Sequence, residues 1–259
     1  MTRVCGVAAA LAASLVLAAC GGGGGGGSAK PPQGPPSARH PASDLAAELA
    51  GEEMRAHLLV AARLYNNLKF QFASAHMAAA QQEYKTLTDA VRRRDSALDR
   101  EVHAAFPVIA GQIAQRQPAL AVTTRMGLVQ GQLLDAAIRD AMGQAAFNDP
   151  GVTAYVMSRL AAQGAREYAL AASQGGFTDV GRRGYQDAFG LITRASSLSH
   201  NISNFLGPQR NAVINGLNDA HNKGFPTGVL MPRKLDPAGV QAGVQQALAG
   251  VQRRFGFAA

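Results

Sequence analysis

The sequence predicts an all-α protein, an antiparallel bundle of roughly six to eight helices, and three observations carry that prediction. No proline occurs between Ala42 and Phe106, a stretch rich in Ala, Leu, Glu, Gln and Arg, the residues that lose least on entering a helix. Apolar residues recur with the helical period of 3.6, and no strand-like alternation or tandem repeat emerges. Asn148-Asp149-Pro150 and Leu235-Asp236-Pro237 share one grammar of helix initiation. The aspartate accepts from free amides, and the missing N–H of proline costs nothing at the first helical position.

Taken in order, the first helix is expected to start at Ser43, ahead of Asp44 and Glu48, with hydroxyl and acids placed at its positive end. Leu59, Val60, Arg63, Leu64, Asn67 and Leu68 trace its mostly apolar face. A second helical stretch runs from about Ser74 and is expected to break near Asp95-Ser96. Pro107 is expected to kink or end the helix beyond that break. Pro118 opens a further helix through Gln144, with Val122, Met126, Val129, Leu133 and Ala137 on one stripe. Asp149 starts the next helix and Gly175-Gly176 stops it. Asp179 is expected to cap its successor, where Tyr185, Ala188, Phe189 and Ile192 fall on one face. Gly207-Pro208 precedes a short helix ending near Asn222. Residues 223–235, rich in Gly and Pro, read as a surface loop before Asp236 opens the last helix.

Ahead of the bundle, Thr2 and Arg3 precede an apolar run of sixteen residues, Val4 to Ala19. This layout is that of a secretory signal and is shorter than the about 20 residues a spanning helix needs. Leu17-Ala18-Ala19-Cys20 resembles the lipobox of bacterial lipoproteins. That resemblance implies a signal peptide over residues 1–19, a diacylglyceryl group on the Cys20 thiol, cleavage before Cys20, and the lipid bilayer as a partner through the acylated cysteine. Gly21 at the next position implies, by the same resemblance, sorting to the outer membrane. Cys5 lies in the part that would be removed, so Cys20 is the one thiol left. An internal disulfide, a thiolate catalyst and a thiolate metal cluster are thereby excluded from the mature monomer.

Seven glycines, Gly21 to Gly27, and Pro31, Pro32, Pro35, Pro36 and Pro41 follow, so residues 20–41 read as a flexible tether reaching about 25 Å. It resembles the glycine-rich leaders of surface lipoproteins in Gram-negative bacteria, and a periplasmic and a surface location both stay open. Residues 42–259 are long enough for a single domain with a sizeable core.

The chain carries 25 Lys and Arg against 17 Asp and Glu, a net charge of +8. Without Arg3 the basic count is 24 and the balance +7. Arg92-Arg93-Arg94, Arg182-Arg183 and Arg253-Arg254 are short and scattered, with no interleaved aromatics, and read as solvated helix faces. Nucleic acid is not an expected partner. At an envelope address the basic surface instead suits an anionic envelope surface or another envelope protein.

Two carboxylate–histidine pairs stand at i, i+4: Glu53 with His57, and Asp99 with His103. Each pair shares a helix face. Imidazole and carboxylate together suit iron, copper or zinc, so these four residues are the candidate ligands for a divalent metal. The competing and commoner role of such pairs is a surface ion pair or a capping contact. No Glu-x-x-His occurs, which argues against a ferritin-like di-iron centre. His76, His200 and His221 are isolated in sequence and read as surface or locally bonded residues. G-x-S-x-G, S-x-x-K, H-E-x-x-H and phosphate-binding glycine loops are absent, so the expectation is a non-catalytic binding or interaction module rather than an enzyme.

Residues Tyr155 to Ser196 join an alanine-rich helix with the pair Glu167-Tyr168, a glycine turn, and a helix carrying Tyr185-Gln186-Asp187. This outline resembles a helix–loop–helix in the periplasmic helical domains attached to bacterial iron permeases. The resemblance implies iron handling and a metal role for Glu167, Tyr185 and Asp187. It covers about a sixth of the chain, and Gly184 stands where those domains tend to carry an acid. Read by themselves, the same residues make an amphipathic helix with Tyr185 in the core and Asp187 solvated. Three functional classes follow: a ligand- or metal-handling accessory lipoprotein, whose polar residues should converge in one cleft; a structural or adhesive lipoprotein, whose polar residues should be dispersed over its exterior; and, least favoured, an unrecognised hydrolase, which would need a deep pocket with a strongly perturbed titratable group.

Overall fold

The computed structural model describes residues 33–174 and 178–257, and the described residues form an all-α packed bundle. The helices are α1 (Ala42–Asn66), α2 (Phe70–Arg94), α3 (Ser96–Ala114), α4 (Ala119–Leu128), α5 (Leu134–Met142), α6 (Gln144–Phe147), α7 (Pro150–Ser173), α8 (Asp179–Asn201), α9 (Arg210–Gly224) and α10 (Pro237–Phe255). A five-residue π turn, Val129–Leu133, carries α4 into α5, so the two act as one bent rod. No helix among the described residues is long and apolar enough to cross a membrane.

Consecutive helices are neighbours, joined by short turns except for the longer loop between α9 and α10. The pairs α1 with α2, α7 with α8 and α9 with α10 are the closest packed, and α1 is the hub that also touches α4, α5, α7 and α8. The predicted stripes face inward: Tyr185, Ala188, Phe189 and Ile192 are buried on α8, as are Val122, Met126, Val129 and Ala137 on the bent rod. Backbone approach is closest between α9 and α10. A Cβ on Gly216 would lie 2.6 Å from the Gly243 carbonyl oxygen, and one on Gly243 2.5 Å from that of Gly216.

Helix starts follow the capping chemistry with two changes. Asp149 accepts from the Gly151 amide at 2.7 Å and Asp236 from that of Gly239 at 2.9 Å, each with proline next in the chain. Asp95 makes the expected break between α2 and α3, accepting from the amides of Ala97 and Leu98. Ser43, however, lies inside the first turn of α1, which begins at Ala42 after Pro41 and has no side-chain cap. Thr178, not Asp179, caps α8, because its Oγ1 accepts from the Gly181 amide at 3.0 Å while Asp179 turns outward to Arg182.

Helix ends differ more. Leu68 is not on the α1 face; it is 73% exposed at a φ of 58° in the turn after Asn66. Pro107 does not end α3, which continues to Ala114. The helix after Pro118 stops at Met142, where Gly143 takes a φ of 83°, a conformation that only glycine adopts cheaply. The expected stop at Gly175-Gly176 lies outside the described residues. Residues 33–41, the end of the stretch read as tether, lie along the bundle. The Gly34 amide donates to the Phe255 carbonyl at 2.9 Å, and His40 and Arg39 reach Asp149 at 2.8 and 3.2 Å.

One ionic cluster ties the hub to its neighbours. Glu52 on α1 is fully buried and accepts from Nε and Nη2 of Arg194 on α8 at 2.8 and 2.6 Å. Arg55 bridges Glu52 and Asp135 of α5, and its Nε donates to the Gln130 carbonyl of the π turn at 3.1 Å. Paired and hydrogen-bonded in this way, the buried Glu52 and Arg55 link α1 to Arg194 of α8 and to the half-exposed Asp135 of α5.

Candidate metal centre

Three helices bring the centre together. His57 is on α1 and His76 on α2, at similar distances either side of the connecting turn, so folding the two helices back on each other sets the imidazoles side by side. Asp187 comes from α8. Gly190, one turn further along, lets that helix press onto α1: a Cβ there would sit 2.9 Å from the Ala56 carbonyl oxygen and 2.8 Å from Val60 Cγ2. This close approach carries Asp187 to the residue after Ala56.

The donor atoms form a nearly equilateral triangle. His57 Nδ1 is 3.2 Å from His76 Nδ1, and both are 3.5 Å from Asp187 Oδ1. Ligands about 2.0–2.2 Å from one ion are separated by about 3.0–3.5 Å at angles between octahedral and tetrahedral, so the triangle has the size of a coordination face. The cluster His57, His76 and Asp187 is capable of coordinating a divalent metal ion.

Protonation favours the same chemistry. The His76 Nε2–H donates to Gln186 Oε1 at 3.1 Å, which leaves His76 Nδ1 as the unprotonated nitrogen on the side of His57 and Asp187. Burial pushes the His57 pKa down to about 3, with His76 and Arg183 adding to the effect. Burial likewise holds His76 down at about 4 against the opposing Gln186 hydrogen bond. Both rings are therefore neutral at pH 7, the form that binds metal. Asp187 is raised to about 7, chiefly by burial, with Arg183 opposing and Glu167 reinforcing the rise. Its Oδ1 is buried without a hydrogen-bond partner. A carboxylate oxygen stranded in this way costs about 1–3 kcal/mol or more, unless a cation or a proton satisfies it.

Two of the three donors, His57 and Asp187, line a cavity of about 510 Å³ between α1, α2, α7 and α8. Among the described residues, Glu53, Glu83, Glu167 and Asp187 line it with one cation, Arg183, and Ala75, Ala78 and Ala79 give it a wall of small side chains. Burial, followed by the nearby charge of Glu83, raises Glu53 to about 7. Room therefore remains beside His57 and Asp187 for water or an exchanging ligand, in surroundings that attract cations.

Of the sequence candidates, His57 is a donor and Glu53 lines the same cavity. Asp99 and His103 are placed elsewhere, on α3 against α2. Asp99 accepts from Tyr84 at 3.2 Å and from Arg92 at 2.9 Å, and His103 lies 3.5 Å from it, 40% exposed. Two donors escape a reading of the residues alone. His76 is not a surface residue but 2% exposed, and Asp187 is not solvated: its side chain is 19% exposed and points into the bundle. Tyr185 lies in the core as expected, donating to the Gly228 carbonyl at 2.8 Å. Only the iron-permease resemblance marks Asp187 in the sequence; no local signal marks His76. No protein-family model, curated protein or solved structure matches the chain, so the centre rests on its own geometry and donor chemistry.

Proposed function

We propose that the chain is a lipid-anchored envelope protein that holds a divalent transition-metal ion on His57, His76 and Asp187, and that it handles the metal without catalysing a reaction. The observation that carries this reading is the stranded Asp187 Oδ1 facing two neutral imidazoles at 3.5 Å. Two histidines and one carboxylate with open positions suit ferrous iron, and the affinity order should place copper above zinc and zinc above iron. An iron-handling role agrees with the permease-domain resemblance of Tyr155 to Ser196. The anchor is supported by Leu17-Ala18-Ala19-Cys20, which would keep the site at the membrane while the glycine-rich segment supplies reach.

Metal titration of the full chain with both thiols replaced (Cys5→Ser, Cys20→Ser) tests the reading. It requires one saturable site of micromolar affinity or tighter for zinc and ferrous iron, lost in His76→Ala and Asp187→Asn and retained in His103→Ala. Binding that survives the first two substitutions, or is lost with His103, contradicts it. Membrane retention and processing of Cys20→Ala test the anchor separately; a variant processed and retained like the parent would refute lipidation.

A further inference from the structure

A second cavity, of about 320 Å³, opens between the start of α2, the first turns of α8 and the loop after α9. Its chemistry is the reverse of the metal cavity. Phe72, Leu230 and Met231 give it an apolar wall, and Arg182, Gln186 and the exposed Lys69 line it as well. No carboxylate lines it among the described residues. The Arg182 guanidinium carbon lies 5.8 Å from the centre of the Phe72 ring, and Arg182 Nε is buried without a hydrogen-bond partner. Among the described residues Arg182 meets one acid, Asp179, at 3.0 Å, and that side chain is 85% exposed.

An apolar pocket with a few convergent polar groups is the usual form of a small-molecule site, and the polar groups define what it accepts. Two cations without a lining acid select an anion. The wall of phenylalanine, leucine and methionine selects an apolar body, and methionine adapts to its shape. We infer that this cavity binds a monocarboxylate with an apolar body, its carboxylate between Lys69 and Arg182 and its tail along Phe72, Leu230 and Met231. The site does not depend on the metal reading, although Gln186 adjoins both: it faces this cavity and accepts from His76 Nε2 on the other side.

The test uses the full Cys5→Ser, Cys20→Ser chain in chelator, so that metal plays no part, with octanoate as the probe and octan-1-ol and octylammonium as controls. Calorimetry should give a single octanoate site, and the Met231 methyl resonance, assigned by Met231→Leu, should shift with the same saturation. Neither control should saturate it. Each of Lys69→Gln and Arg182→Gln removes one charge-assisted contact and should weaken octanoate about tenfold. Leu230→Asp, at a 36% exposed position, should abolish binding with the helical circular dichroism unchanged. Equal binding of octanol, binding of octylammonium, or an unmoved Met231 methyl would overturn the assignment.

Discussion

Asp187→Asn should make the metal-free protein more stable at pH 8 while destroying its metal site. The side chain is 19% exposed and its carboxyl is raised from 3.8 to about 7 by burial. A group whose folded pKa lies above its unfolded value stabilises the fold at low pH and loses that contribution as pH rises through the window between them. Here the window runs from about 4 to about 7. A tenfold change in an acid's dissociation constant is worth about 1.4 kcal/mol, so the ionised Asp187 costs the metal-free fold roughly 4 kcal/mol at pH 8 and almost nothing at pH 4. Asparagine keeps the shape and removes the charge. His57 and His76, whose lowered values act in the opposite sense below pH 6.5, titrate in both proteins and largely cancel in the difference. Urea unfolding in chelator, followed by circular dichroism, should therefore show the two proteins equal at pH 4. The variant should be more stable by about 2–4 kcal/mol at pH 8, and saturating zinc should reverse the order. An Asp187→Asn protein that is less stable than the parent at pH 8, or whose difference from it is flat between pH 4 and 8, would refute the placement of a stranded carboxylate at the centre.

The same chemistry sets the proton balance of binding. Zinc should displace about one proton from Asp187 at pH 6 and almost none at pH 8.5, read as the buffer dependence of the calorimetric enthalpy. Gly190→Ala forces a Cβ to within 2.9 Å of the Ala56 carbonyl oxygen and should cost about 1–3 kcal/mol of stability. Because Asp187 rides on the displaced helix, zinc affinity should fall as well, and an unchanged affinity would uncouple the helix contact from the site. Glu52→Gln strips Arg194 of its partner inside the bundle and should destabilise by roughly 3 kcal/mol in urea unfolding at pH 7.

The fold is legible in the sequence because its signals are local. The Asp149 and Asp236 caps, the Asp95 break and the α8 stripe each depend on residues within two turns of one another. The boundaries that differ come from competition between neighbours, as where Thr178 displaces Asp179 at the cap of α8. The site is only partly legible because its donors come from three helices. His57 is visible through Glu53 four residues before it, a pair that shares a cavity although Glu53 is not one of the three donors. His76 sits in an alanine-rich stretch with no acid within one helical turn, the nearest being Glu83 seven residues on, and only the antiparallel return of α2 brings it to His57. Asp187 reads as solvated on any helical wheel. Its burial follows from Gly190, whose missing side chain lets α8 lie against α1 and turns a polar flank inward. The Asp99–His103 pair has the same local signal as Glu53–His57 and a different setting, since Arg92 and Tyr84 already occupy its carboxylate. Spacing finds such pairs; the third helix decides which one faces a cavity.

Anomalous diffraction from zinc-loaded crystals of the Cys5→Ser, Cys20→Ser chain tests the central claim most directly. The expected result is one strong zinc peak about 2.0–2.2 Å from each of His57 Nδ1, His76 Nδ1 and Asp187 Oδ1, with its open positions toward the cavity that Glu53 and Glu83 line. A peak at Asp99 and His103 instead, or no peak at the three donors at saturating zinc, would contradict it.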